Sequence, residues 1–185
     1  ARSNGHLIFL STGRGNAELD EDLMSIGFDG AVSNGGSFAT SGDEIIVSRL
    51  FTADEVRRLQ DAFTRHGVDW YFQSYDRMFA SPALPTLLAD RLERDRVDHA
   101  ERARAAGVDA ASIPLFSVGM KTFDDDAHFT DASQAKAVLL AASEAVLEPL
   151  LAELADEFAV VSGTIPLPDG ASTEVAPAGV NKGAT

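Results

Sequence analysis

Three short segments of this chain carry residue types that could hold an anion. Thr12-Gly13-Arg14 follows the apolar run Leu7-Ile8-Phe9-Leu10, and Asn34-Gly35-Gly36 follows a second run from Phe28 to Ser33. Lys182 stands in the glycine-flanked string Gly179-Val180-Asn181-Lys182-Gly183. A hydroxyl, backbone N–H groups at a glycine turn and a lysine ammonium are together the donors a phosphate group needs. Taken singly they are weak signals. Thr12 alone reads as a satisfied strand-end hydroxyl and Lys182 as a solvated surface lysine. They do chemistry only if the fold joins segments separated by most of the chain.

The elements that must position them follow from pattern. Leu7–Ser11 shows no alternation, so a strand buried on both faces, as in a parallel sheet, is expected. Gly13 and Gly15 end it. Asn16 is placed to cap a helix to about Ser25, with Leu19, Leu23 and Met24 inward. Ser37–Thr40 and Glu44–Arg49 flank Ser41-Gly42-Asp43 and predict a hairpin. Thr52-Ala53-Asp54-Glu55 is a capping box, and Val56, Leu59, Ala62 and Phe63 mark the inner face of the helix it opens. Val68, Trp70 and Phe72 alternate with Asp69, Tyr71 and Gln73, the pattern of a half-buried strand. A charge-rich helix is expected over Leu84–Ala106 and a strand within Pro114–Phe123. Ala135–Ala141 fits either a strand or a helix start. Ser143–Phe158 reads as a helix that Pro149 kinks or breaks, followed by a short strand to Ser162 and a turn over Pro166–Gly170. A last strand, Ser172–Val175, is expected to return to the first sheet. The fold class is α/β.

Composition removes several function classes. The 185 residues include 15 Lys and Arg against 29 Asp and Glu, a net charge of -14. That balance argues against nucleic acid and anionic membranes, both of which need cationic surface. There is no cysteine, hence neither disulfide nor thiolate metal site. With no secretory leader pattern and no apolar run long enough to span a bilayer, the expected location is cytoplasmic. Gly13-Arg14-Gly15 lacks the third glycine of a dinucleotide fingerprint. Asp124-Asp125-Asp126 with His128 is either a metal site or a solvated acidic loop. Trp70 and Tyr71 either line a substrate pocket or belong to the core. Arg14 either meets phosphate or pairs with a carboxylate.

The strings LIFLSTGR, FDGAVSNGG and TEVAPAGVNKG, in that order and with a long α/β stretch between the second and third, resemble the Cof-type phosphatases of the haloacid dehalogenase superfamily. The resemblance implies a partial doubly wound parallel-sheet core, residues 1–46 and 172–185, with a large inserted α/β cap over 47–171. It implies a magnesium-dependent phosphatase acting on a small phosphorylated metabolite, a sugar phosphate or a phosphorylated cofactor, through a phosphoaspartate. Thr12 matches the hydroxyl that binds a phosphoryl oxygen and Lys182 the lysine that steadies the transferring group, the two catalytic positions. Gly13, Arg14, Asn34 and Gly35 match substrate-facing positions.

The departures are equally specific. The Asp-x-Asp-Gly nucleophile segment of that family is expected one strand and one helix before Leu7, and its acidic metal loop after Lys182. The nearest imitation, Gly27-Phe28-Asp29-Gly30, has glycine at the nucleophile position. The expectation is therefore a cap plus part of a core, with Mg2+ ligands mostly outside this chain, no metal-ligating residue assigned within it, and no phosphoenzyme formed by it alone. The alternative is a non-catalytic binding or regulatory module of the same fold. Substrate identity and oligomeric state are left open by the sequence.

Overall fold

The computed structural model describes residues 2–19, 21–110, 123–162 and 170–183. Two sheets organise them. The first has four strands in chain order: β1 (Phe9–Ser11), β2 (Gly30–Ser33), β3 (Phe38–Ser41) and β4 (Glu44–Ser48). Only β1 and β2 are parallel, Phe9 lying beside Gly30 and Ser11 beside Val32. The β2–β3 and β3–β4 pairs are antiparallel, so the described part of this sheet is mixed rather than parallel throughout. Gly30 is required where it stands. A Cβ there would fall 2.2 Å from the Thr40 carbonyl oxygen and 2.5 Å from the Phe9 ring.

Three expectations for this region are corrected. The run Leu7–Leu10 is not buried on both faces: Leu7 is 70% exposed and Phe9 50%. β1 is an edge strand, and no described element covers its outer surface. The helix expected from Asn16 to about Ser25 is instead a 3-10 turn (Asn16–Glu18) and a single helical turn, α1 (Glu21–Met24). Gly15, not Asn16, is the cap, because the Glu18 carboxylate reaches back to accept its N–H at 3.0 Å and closes the turn early. Leu23 is half-buried and Met24 exposed, so neither anchors an inner face.

The second sheet has five antiparallel strands in the order β6 (Met78–Ala80), β5 (Asp69–Gln73), β7 (Lys136–Ala141), β9 (Ala171–Pro177), β8 (Phe158–Ser162). The final strand, expected in the first sheet, is β9, and it pairs with β7 and β8. Its apolar pattern suits any buried strand; only pairing decides where it goes. The ambiguous segment around Ala135–Ala141 is β7.

Helix α2 (Ala53–Arg65) forms as its sequence dictates. The Thr52 hydroxyl accepts the Glu55 N–H at 3.2 Å, and Glu55 accepts the Thr52 N–H at 2.7 Å. Val56, Leu59, Ala62 and Phe63 are buried. Helix α3 (Leu84–Ala106) ends at Gly107, whose left-handed φ of 67° favours a residue without a Cβ. Helix α4 (Glu144–Leu154) continues through Pro149.

α2 and α4 cover one face of the second sheet, where Phe63, Phe72, Leu139, Leu150 and Val175 meet. Residues Leu84 and Leu88 of α3 cover the other face, against Tyr71, Met78 and Val138. This is why β5 is not half-buried: Tyr71, Phe72 and Gln73 are all buried. Each side chain of this size contributes about 1.5–3 kcal/mol by leaving water. Trp70 and Tyr71 belong to this packing. The strand expected in Pro114–Phe123 and most of the turn at Pro166–Gly170 lie outside the described residues. No helix among the described residues is long and apolar enough to cross a membrane.

Candidate functional site

Thr12 continues β1 by one residue, its N–H donating to the Val32 carbonyl at 2.9 Å. The turn that follows is stitched to the turn after β2. Gly35 N–H donates to the Thr12 carbonyl at 3.3 Å, and Asn34 N–H to the Arg14 carbonyl at 2.9 Å. The Thr12 hydroxyl oxygen accepts the Arg14 N–H at 3.1 Å. A hydroxyl has one proton to donate and two lone pairs to accept with. With a lone pair engaged inside the turn, the Thr12 proton is left for a group outside it.

Lys182 arrives from the far end of the chain at the same place. A Cβ on Gly36 would stand 2.5 Å from the Asn181 carbonyl carbon and 2.9 Å from the Lys182 nitrogen. Gly36 also has φ of 111°, a region that L side chains rarely adopt. Glycine there admits the 179–183 loop against the first sheet. The loop turns on itself: Val180 is buried and bonded to the Pro177 carbonyl at 3.1 Å, and the Asn181 side chain accepts the Gly183 N–H at 3.0 Å. Lys182 itself is exposed. Three turns thus converge, carrying Thr12, Gly13, Arg14, Gly35 and Lys182.

Asn34 differs from the others. It is fully buried at a left-handed φ of 50°. Its amide donates to Gln73 Oε1 at 3.3 Å and to the Ser74 carbonyl at 3.0 Å, both in the second unit. Its Oδ1 is buried with no partner among the described residues. The side chain is committed to joining the two sheets rather than facing an open site, and Gly35 spends its N–H on the turn.

Sequence reasoning missed four residues around these turns. Lys136, at the head of β7, is 3% exposed, and its ammonium donates to the Gly13 carbonyl at 2.6 Å. Glu174 of β9 lies 3.1 Å from the same nitrogen. Burial pushes the Lys136 pKa down; Glu174 opposes the shift and the charge of Lys182 adds to it, so both lysines feel one another. Gln73 donates to the Glu18 carboxylate, which also holds Gly15. The one signal was a lysine heading an otherwise apolar strand, Lys136-Ala137-Val138-Leu139-Leu140, and it means little until its partner is known.

A family model of haloacid dehalogenase-like hydrolases matches residues 1–185. The chain belongs to that family. No curated protein matches it. Among solved structures, a hypothetical protein from Geobacillus kaustophilus is similar at 19% identity and a TM-score of 0.64, over 98% of this chain and 59% of that one. A sugar phosphatase of haloacid dehalogenase subclass IIB is similar at 16% identity and a TM-score of 0.61, over 98% and 60%. A haloacid dehalogenase-like hydrolase from B. subtilis is similar at 14% identity and a TM-score of 0.63, over 100% and 66%. At these identities the likeness is one of fold, and the chain spans 59% of the first of them.

A hydrolase of this family implies a divalent cation. Among the described residues no group of three or more Asp, Glu, His or Cys side chains is placed to hold one. Asp29 accepts the Ile8 N–H at 2.7 Å and lies 3.6 Å from Arg2. Asp124 accepts the Met78 N–H at 3.2 Å, and Asp125 caps Ala127 at 2.9 Å. The acidic loop near His128 is structural, and the described residues do not fit a magnesium site.

Proposed function

We propose that the protein is a magnesium-dependent phosphatase of Cof type acting on a small phosphorylated metabolite, a sugar phosphate or a phosphorylated cofactor. In this reading the chain contributes the turns that hold the phosphoryl group and a second unit that closes over them. Thr12 and Lys182 do the charge-stabilising work, and Gly13 and Arg14 add contacts. Asn34 and Gly35 shape the turn. The attacking carboxylate and the magnesium ligands are assigned to no residue described here. We place the boundary of the closing unit after Pro177, since β9 pairs with β7 and β8.

The observation that carries the reading is the contact of Gly36 with the Asn181–Lys182 backbone. In this reading the contact brings the Lys182 cation toward the Thr12 hydroxyl and toward the Gly13 N–H, which has no partner among the described residues. Phosphoryl transfer demands little covalent work from the protein beyond positioning; its barrier falls when oriented donors and cations meet charge on the phosphoryl oxygens. The net charge of -14 suits a small substrate over a polyanion.

The test has two arms. Calorimetric titration of this chain with inorganic phosphate is expected to show one site, weakened by Thr12→Val and by Lys182→Ala. In the whole protein, Lys182→Ala is expected to slow phosphate release from an aryl phosphate about a hundredfold, the usual cost of deleting a charge-stabilising donor. A loss below about threefold would remove Lys182 from the site. No turnover by the wild-type protein across a panel of divalent metals would overturn the proposal.

A further inference from the structure

The turn that carries Thr12 is open at Gly13. A Cβ at Gly13 would meet nothing within 4 Å, and glycine leaves its own φ and ψ free. What fixes this peptide is hydrogen bonding on both of its edges. In a trans peptide unit the C=O and the following N–H point in opposite directions. The Gly13 carbonyl accepts from the Lys136 ammonium at 2.6 Å, and the Arg14 N–H of the same unit donates to the Thr12 hydroxyl oxygen at 3.1 Å. The plane is gripped at one end by the second sheet and grips Thr12 with the other.

Lys136 is itself held. On one face of the second sheet Glu174 pairs across from Val138, two residues along from Lys136, so lysine and carboxylate are diagonal neighbours. Their closest atoms are 3.1 Å apart. Burial disfavours an ammonium this deep in the protein, and the Glu174 carboxylate opposes the loss of its proton. The stem also runs under the second turn, its Cδ 4.0 Å from where a Cβ on Gly35 would stand.

We propose that Lys136, braced by Glu174, is a positioning residue that aims the Thr12 hydroxyl by fixing the Gly13–Arg14 peptide from the second sheet. The proposal rests on the reading of Thr12 as a phosphate donor. It means that the hydroxyl is aimed only while the two units are docked, because the grip crosses from one to the other.

The test separates the aiming device from the phosphatase reading. Lys136→Met keeps the stem and removes the donor. In the ligand-free 185-residue chain, NMR water-exchange of the Arg14 amide is expected to quicken about fivefold, the loss of one exposed hydrogen bond, with amides of β5 and β7 unmoved. Because the chain has no cysteine, Lys136→Cys can be alkylated with 2-bromoethylamine while unfolded, then refolded to restore an ammonium at that position alone. It should return the exchange rate to that of the wild type. In the whole protein Lys136→Met is expected to lower kcat about thirtyfold, the scale of a misaimed group, with KM within about twofold.

Unchanged Arg14 exchange in folded Lys136→Met would overturn the proposal. So would faster exchange that the thioether lysine fails to reverse, since the role would then be packing. If Lys136→Met does not fold, Glu174→Gln replaces it; faster Arg14 exchange supports the device and an unchanged rate overturns it. Wild-type protein that shows no phosphate binding overturns the phosphatase reading, and the exchange experiment still reports whether Lys136 fixes the peptide.

Discussion

The two sheets are built on opposite plans. Both apolar clusters of the described residues draw only on Phe51 and later positions, with helices on each face of the second sheet. On the first sheet the described residues leave Leu7, Phe9 and Ile46 uncovered, the last 58% exposed. Its order comes from turns bonded to turns and from polar grips by the second unit: Asn34 on Gln73 and Ser74, Ser37 on the Ala135 carbonyl at 3.0 Å, Lys136 on Gly13. Among the described residues one sheet is stabilised by burial and the other by being held. The proposed chemistry sits on the held one, where backbone groups rather than packed side chains determine direction. That division follows from what each task needs. Burial is strong but indifferent to angle; hydrogen bonds are weaker and directional.

The hardest blow to the packed side of the comparison is Phe72→Ala. Phe72 is fully buried and its ring meets those of Phe51, Phe63, Trp70 and Phe129. Its truncation is expected to cost about 3–5 kcal/mol, the range for a core phenylalanine. Trp70, the one tryptophan, lies in β5, so its fluorescence in urea follows this unit. A loss below about 1 kcal/mol would mean that the cluster does not carry the stability assigned to it. Removing an apolar group from the first sheet, as in Leu7→Ser, should change that transition by no more than about 0.5 kcal/mol.

Gly36→Ala breaks the held side. The added Cβ would strike the Asn181 carbonyl, and the residue would be forced to keep a φ of 111° or move. Strain of this kind is worth about 1–3 kcal/mol, and the loop carrying Lys182 is what can shift to relieve it. Phosphate affinity is expected to fall about tenfold, roughly what 1.4 kcal/mol of that strain amounts to. The Trp70 transition should stay within about 0.5 kcal/mol of wild type. Equal damage to both measurements would show that the two units are one cooperative body.

What was legible in the sequence divides along the same line. α2 was readable to its cap and to each buried residue, because a capping box and a 3.6-residue period are local facts. The β3–β4 hairpin was readable for the same reason. β5 was misjudged because its alternation says nothing of a helix arriving from elsewhere to cover its outer face. β9 went to the wrong sheet because two sheets accept the same apolar strand. Of the proposed site, Thr12, Gly13 and Lys182 were nameable from residue type and turn chemistry. Lys136 and Glu174 were not, since a charge inside a strand acquires meaning from the carbonyl it meets 123 positions away.

The smallest expected effect sharpens the packed side at its rim. Outside the core α2 is joined to α4 by Glu153, which accepts from His66 at 2.9 Å and from Arg65 at 2.5 Å, and to the turn after α4 by Arg58–Glu157 at 2.6 Å. The Glu153 carboxyl is held below its ordinary value, first by the hydrogen bond from His66 and further by Arg65. Its folded form therefore binds fewer protons than its unfolded form in the window just below the ordinary value of 4.5. The contribution is complete above that value and disappears as pH falls through the folded one. Glu153→Gln should flatten the acid limb of the Trp70 transition there and leave stability at pH 7 little changed, since exposed pairs are weak. Added salt should shrink the difference between the two proteins, because both partners face solvent and are screened. If the mutant were as destabilised at pH 7 as Phe72→Ala, the rim would be sharing the work assigned to the core.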